Sequence, residues 1–185
     1  MKVEDLLKKR LREAGYGGFD VEHSPTGTHI TIYAMKPGIV IGRGGENLRE
    51  LKEVIEGEVG WENLEISVAE IEVPELNPYV MATRIASAIE RGVHFRRAGF
   101  WALNAIMNAG ALGAEVTISG KLRTERASYE KYAAGYLLKA GEPRVESLRE
   151  GVTEVQLRPG IYGVKVRILP PTSRALDREL SEQLK

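Results

Sequence analysis

Val40-Ile41-Gly42-Arg43-Gly44-Gly45-Glu46-Asn47-Leu48-Arg49-Glu50-Leu51 sets a G-x-x-G turn between two helical patterns. Pro37 opens a short apolar run over residues 38–41, and the glycines interrupt it. After them Leu48, Leu51, Val54 and Ile55 share one helix face opposite Arg49, Lys52, Glu53 and Glu56. Glycine has no Cβ, so a sugar-phosphate backbone can come close to such a turn, and the helix start behind it offers N–H groups to an anion. Arg43 adds a cation at the tip, and Ile39, Ile41 and Leu48 can wall a groove for unstacked bases.

Rival phosphate loops fail on the same letters. A dinucleotide fingerprint G-x-G-x-x-G needs glycine where Asn47 stands, and this turn follows a helical pattern rather than a strand. A Walker loop ending at Gly120-Lys121 needs glycine where Glu115 stands.

Upstream of the turn, Val3, Leu6, Leu7 and Leu11 follow helical spacing, which predicts an amphipathic helix over residues 3–14 stopped by Gly15 and lying on a sheet. Phe19, Val21 and His23 then alternate with polar residues, residues 25–27 make a turn, and Ile30, Ile32 and Ala34 alternate again, which predicts two strands. Downstream, Gly57 and Gly60 are expected to close the helix, and Leu64, Ile66 and Val68 make a third strand before a proline-bounded linker at 74–78. Residues 1–73 thus read as α-β-β-α-turn-α-β.

Asn77-Pro78 is a helix start by its chemistry, because an Asn side chain can accept from an orphan N–H and proline loses nothing at the first position. That helix runs to about Arg91. A second, over about 93–109, is apolar on most of its circumference between Ala98 and Met107, which predicts a helix sandwiched on both sides. Period-two alternation follows at Ala114, Val116 and Ile118, at Tyr132, Ala134 and Tyr136, at Thr153, Val155 and Leu157, and at Val164, Val166 and Ile168. Two helices and four strands predict a two-layer α2β4 domain over 74–171, with a polar tail at 172–185 that reads as a frayed helix. The fold class is α+β.

Composition agrees with two folded units. The chain has 185 residues, 43% of them hydrophobic, enough for a core in each of two small domains. It has no Cys, which excludes a disulfide framework and thiolate metal sites and fits a reducing cytosol; His23, His29 and His94 lie too far apart for a local metal cluster. The opening MKVEDLLKKRLREAG is interrupted by charges, so it reads as neither a secretory signal nor a membrane span. The formal net charge is zero, but residues 1–72 hold 9 basic and 14 acidic groups and the remainder 17 basic and 12 acidic. A net −5 beside a net +5 marks two dissimilar halves, the second facing anions.

The first unit resembles a type II KH domain. The second resembles the C-terminal domain of the family of small-subunit ribosomal protein number three, in its archaeal and eukaryotic branch. The likeness rests on residues 40–45, on His94-Phe95-Arg96-Arg97-Ala98, on 107–113 (MNAGALG), on 115–123 (EVTISGKLR) with Glu125-Arg126-Ala127, on Gly141-Glu142-Pro143 and on 159–170 (PGIYGVKVRILP). It implies a structural constituent of the small-subunit head that binds ribosomal RNA, lines the entrance of the messenger RNA channel and touches neighbouring head proteins. It also implies a cytoplasmic, ribosome-associated location, with no cofactor, membrane or small-molecule substrate. Bacterial relatives use the pair matching Arg96 and Arg97 to line that channel and unwind structured messenger. They place a third basic residue where this chain has Phe100, so only part of the unwinding cluster is present.

The expected RNA-binding residues are Gly42, Arg43, Gly44, Gly45, Lys36 and Arg49 in the KH loop, with Lys52 nearby, and Arg96, Arg97, Lys121, Arg123 and Arg126 in the second unit. Adjacent guanidinium groups can engage successive phosphates without reading sequence, and five such cations on one patch would make binding strongly salt-dependent. That patch requires the start of the helix and the end of the strand to adjoin. Lys165 and Arg167 read as solvated cations. Trp61 and Trp101 read as core or interface residues, and the spacing of Tyr129, Tyr132 and Tyr136 does not separate packed rings from rings free to stack on a base.

No catalytic residue is expected. Ser128 and Lys131 match S-x-x-K, but a nucleophile and its activator need one helical turn between them, and this stretch reads as strand. His94 beside Phe95 reads as packed or RNA-facing. The alternative function is a free-standing KH-domain RNA chaperone or translational regulator.

Overall fold

A computed structural model describes residues 2–12, 14–24, 27–59, 61, 63–141, 145 and 147–171. The chain divides into two compact units, Met1–Pro74 and Glu75–Lys185. The polar tail at 172–185 and part of the Gly141-Glu142-Pro143 motif lie outside the described residues.

In the first unit α1 (Lys2–Arg10) leads to β1 (Tyr16–Ser24) and β2 (Gly27–Ala34), then α2 (Pro37–Ile41), a 3₁₀ turn at Arg43–Gly45, α3 (Glu46–Val59) and β3 (Leu64–Glu70). The first helix is shorter than its pattern: it ends at Arg10, and Leu11 is buried from the turn that follows. Gly57 does not close α3, which runs on to Val59. An added Cβ at Gly57 would meet nothing within 4 Å, so this glycine only weakens the helix. Strand β2 is central, antiparallel to β1 and parallel to β3. It alternates half-buried and buried residues, and Thr28, Ile30, Ile32 and Ala34 face the core with Leu7, Leu51, Ile55 and Leu64.

The opposite sheet face is acidic. Register sets Glu22, His29 and Glu65 in one row and Asp20, Thr31 and Ser67 in the next. Helix α3 adds to the acidic excess, with Glu46, Glu50, Glu53, Glu56 and Glu58 against Arg49 and Lys52, whereas between residues 36 and 49 Lys36, Arg43 and Arg49 outnumber Glu46. The net −5 of residues 1–72 therefore describes the unit as a whole and not its glycine turn.

In the second unit α4 (Pro78–Glu90) and α5 (Phe95–Asn108) cover one face of a four-stranded antiparallel sheet made of β4 (Gly113–Gly120), β5 (Ser128–Gly135), β6 (Arg149–Leu157) and β7 (Gly160–Leu169), in the order β5-β4-β7-β6. Asn77 caps α4 as its chemistry requires: Oδ1 accepts from the N–H groups of Tyr79 (3.1 Å) and Val80 (3.2 Å), a contact worth about 1 kcal/mol. Helix α4 lies over β6 and β7, and α5 over β4 and β5. Met81, Ile85, Ala102 and Ile106 meet Val116, Ile118, Val164 and Val166 in the core.

Helix α5 is not sandwiched. Its buried face is Phe95, Ala98, Gly99, Ala102, Leu103 and Ile106, while Phe100 is 54% and Trp101 44% exposed. The run looked apolar all round because two aromatic residues stand on the outer face beside the buried stripe, and period alone cannot tell these faces apart. Among the described residues no helix is long and apolar enough to cross a membrane, and no group of three or more metal-ligating side chains forms.

Candidate nucleic-acid interface

The glycine turn of the first unit is built by backbone. Gly42 (φ 73°), Gly44 (φ 63°, ψ 16°) and Gly45 (φ 79°) all sit at positive φ, where a side chain is costly. A Cβ on Gly44 would meet nothing within 4 Å, so the tip is open to an approaching molecule. A Cβ on Gly42 would fall 2.6 Å from Cγ of Asn47. That space is used: Asn47 Nδ2 donates to the carbonyl of Ile39 at 3.0 Å, tying the two sides of the turn together. Asn47 was absent from the expected site, and the only signal for it was the failure of the dinucleotide pattern at that letter.

Ile39 and Ile41 are 44% and 41% exposed beside the turn and Leu48 is half-buried, as apolar groups lining a groove would be. The side chains of Lys36, Arg43 and Arg49 are exposed and make no ion pair among the described residues. Lys52 stands 3.8 Å from Glu56 across one helical turn. Trp61 packs edge-on to His23, with centroids 5.5 Å apart.

The second cluster is built by side chains. His94 caps α5, its Nδ1 accepting from the N–H of Arg96 at 3.3 Å while its ring stacks on Phe95 at 4.3 Å. Arg96 and Arg97 therefore occupy the first turn of α5, which has no acidic residue. Cations there oppose the helix dipole, so the sequence has accumulated positive potential where helix stability favours the reverse.

Arg96 finds its counter-charge 34 residues away in β5. Its Nε and Nη2 donate to the two carboxylate oxygens of Glu130 at 3.3 and 3.4 Å. Arg123, from the loop between β4 and β5, donates Nη2 to the same carboxylate, and the Tyr132 hydroxyl donates to it at 2.6 Å. These donors hold Glu130 at a pKa of about 2, Tyr132 first, then Arg96 and Arg123. Burial, then the Glu130 hydrogen bond, raises the Tyr132 phenol to about 12.

The structure thus brings Arg96 and Arg123 onto one carboxylate. It fixes Lys121 from behind, where its carbonyl accepts from the Tyr162 hydroxyl. Lys121 also borders the β6–β7 turn, since a Cβ on Gly160 would lie 3.9 Å from its Cδ. That turn carries exposed Arg158, a cation that period-two patterning gave no reason to select. Arg97, Lys121 and Arg126 are exposed and make no ion pair among the described residues.

Phe100 packs on the Tyr132 ring with centroids 4.8 Å apart. Gly99 makes room for that ring, because a Cβ there would come within 2.6 Å of it. Tyr132 is therefore a packed ring, whereas Tyr129 is 70% and Tyr136 51% exposed. Arg84 lies over Trp101, 5.1 Å from its centroid, and pairs with Glu75 at 3.0 Å.

Lys165 and Arg167 are not simply solvated. Arg167 bridges Glu150 (2.8 Å) and nearly buried Glu115 (3.0 Å), Lys165 meets Glu150 at 2.5 Å, and Lys131 meets Glu115 at 2.9 Å. Strand register places Lys165 beside Thr117 and Arg167 beside Glu115, a cross-strand proximity invisible in either strand alone. Lys131 stands three residues from Ser128 along a strand, on the opposite face, and its charge is engaged with Glu115.

Known proteins give the same outline. Residues 2–76 match the family described as "KH domain", and residues 85–168 match "Ribosomal protein S3, C-terminal domain". The small ribosomal subunit protein uS3 of Methanobrevibacter smithii is 48% identical over 170 residues, covering 92% of this chain and 68% of that protein. Its counterpart in Saccharolobus solfataricus is 46% identical over 171 residues (92% and 75%), and that of Methanosphaera stadtmanae 43% over 182 (98% and 72%).

Proposed function

The chain belongs to the family of small ribosomal subunit protein uS3, structural components rather than enzymes, and on that premise we propose that it is built into the small ribosomal subunit and binds RNA through both of its units. The glycine turn of the KH unit takes the sugar-phosphate backbone of ribosomal RNA, with Gly42, Gly44 and Gly45 giving access and Lys36, Arg43 and Arg49 the charge. Arg96, Arg97, Lys121, Arg123 and Arg126 face messenger RNA at the channel entrance. The protein works in the cytoplasm, ribosome-bound, against neighbouring head proteins.

One observation carries this reading: Arg96 and Arg97 occupy a helix start that has no acidic residue, and Arg96 meets Arg123 on Glu130. Positive charge concentrated against the helix dipole has little use in folding and a direct use in attracting phosphate. Partial neutralisation by Glu130, together with Phe100 in the place of a further cation, favours holding the strand over forcing a duplex apart.

Sucrose-gradient sedimentation of tagged protein from cell lysate tests the proposal, with wild type compared to Gly44→Asp, which sets a carboxylate and a Cβ where phosphate would approach. Wild type is expected to travel with the small subunit and the variant to shift toward the top. Wild type remaining at the top while still binding single-stranded RNA would instead make the chain a free-standing KH chaperone or regulator.

A further inference from the structure

We infer that Glu130 is a positioning residue for RNA binding: held by the sheet, it fixes Arg96 and Arg123 so that their outward N–H groups form one prearranged surface for phosphate. The inference rests on the reading that this end of the second unit faces RNA, and it adds an acidic residue to a site otherwise made of cations.

Glu130 belongs to β5, Arg96 to the first turn of α5, and Arg123 to the loop between β4 and β5, so one carboxylate gathers three separate parts of the unit. It is the least exposed of the three, at 19% against 51% for Arg96 and 59% for Arg123. A guanidinium carries five N–H groups. Arg96 turns only its Nε–Nη2 edge to Glu130, and Arg123 only Nη2. Nη1 of each has no partner among these contacts and is free to meet phosphate.

The carboxylate itself does not wander. Tyr132 donates to it, and Tyr132 is seated against Gly99 and Phe100 of the helix that carries Arg96. Gly99, Phe100, Tyr132 and Glu130 thus make a rigid line from helix to strand ending on two arginines. An arginine loses much rotamer freedom when it binds, so one already held binds at less cost than one that is free.

Charge and positioning predict opposite signs for one substitution. Glu130→Gln raises the net charge by one, and on charge alone it tightens RNA binding. If Glu130 positions the arginines, the same change weakens it. The probe is a labelled single-stranded oligouridylate, titrated against the full chain at several salt concentrations. Glu130→Gln is expected to bind about fivefold more weakly, and Tyr132→Phe, which keeps every charge and the ring, about twofold more weakly. In an Arg96→Ala, Arg123→Ala background neither change should add a further loss.

Thermal melting of each variant reports folding, and Tyr132→Phe carries the test should Glu130→Gln be unfolded. If the arginine variants weaken binding while Glu130→Gln binds as tightly as wild type or tighter, positioning is overturned and the RNA-facing reading stands. If the double arginine variant binds like wild type, both are overturned.

Discussion

The two proposed anion-binding regions are made from opposite materials. At the glycine turn the chain removes side chains: three glycines at positive φ leave an open tip, and Asn47 braces it from within. At the start of α5 the chain adds side chains, crowding guanidinium groups where a helix prefers carboxylates and meeting Arg96, together with Arg123, with an acid from strand β5. Backbone N–H groups offer direction with little net charge, whereas guanidinium groups offer charge and need something to direct them. Glu130 fills that need in the second unit, and the first unit has no use for an equivalent.

This difference can be broken by salt. Gly44→Ala blocks close approach without changing charge, in an open space where the added Cβ clashes with nothing. It is expected to weaken oligouridylate binding on the order of tenfold, from a strained φ and a lost backbone contact, with the slope of log affinity against log salt unchanged. The Arg96→Ala, Arg123→Ala variant is expected to lose severalfold and to flatten that slope by about 1.4, at about 0.7 per neutralised phosphate of single-stranded RNA. Equal slopes for the two variants would erase the distinction.

A smaller effect sharpens the first half of the comparison. Asn47→Ala removes the brace to Ile39 while keeping every glycine. It is expected to cost about 1 kcal/mol in chemical denaturation and to reduce RNA affinity about threefold, between wild type and Gly44→Ala. Affinity equal to wild type would show that the glycines hold the turn unaided.

These two regions also differ in how far the sequence disclosed them. The glycine turn was legible because its residues are consecutive and its chemistry is local: G-x-x-G, flanking apolar residues and a following amphipathic helix all fall within residues 37–55. The arginine cluster was half legible. Its cations stood in short motifs, but Glu130 lies 34 residues from Arg96, and only strand pairing and helix packing bring them together. The same blindness misplaced Lys165 and Arg167, whose partners Glu115 and Glu150 sit on neighbouring strands. It also made α5 look sandwiched, because Phe100 and Trp101 count as apolar wherever they point. Local chemistry survives projection onto one dimension, and contacts between distant strands do not.

Protons give the last and smallest separation of the two regions. The backbone of the glycine turn has no proton to lose, while the cluster at Glu130 has one at each end of the pH scale. Glu130 is lowered from its ordinary 4.5 to about 2, so its contribution to stability is whole above pH 4.5 and fades as pH falls through about 2. Tyr132 is raised from 10.0 to about 12, so its contribution is whole below pH 10 and fades as pH rises through about 12. Between those limits the arginines stay fixed, and their part of RNA binding is expected to be flat with pH. Carboxyl-detected NMR should find Glu130 titrating near 2 rather than at its ordinary 4.5, and Tyr132→Phe, which removes the largest cause of the shift, should move that titration upward. A Glu130 that titrates near 4.5 in the wild-type chain would mean that the carboxylate does not hold the arginines in solution, leaving two flexible cations where the comparison requires a directed pair.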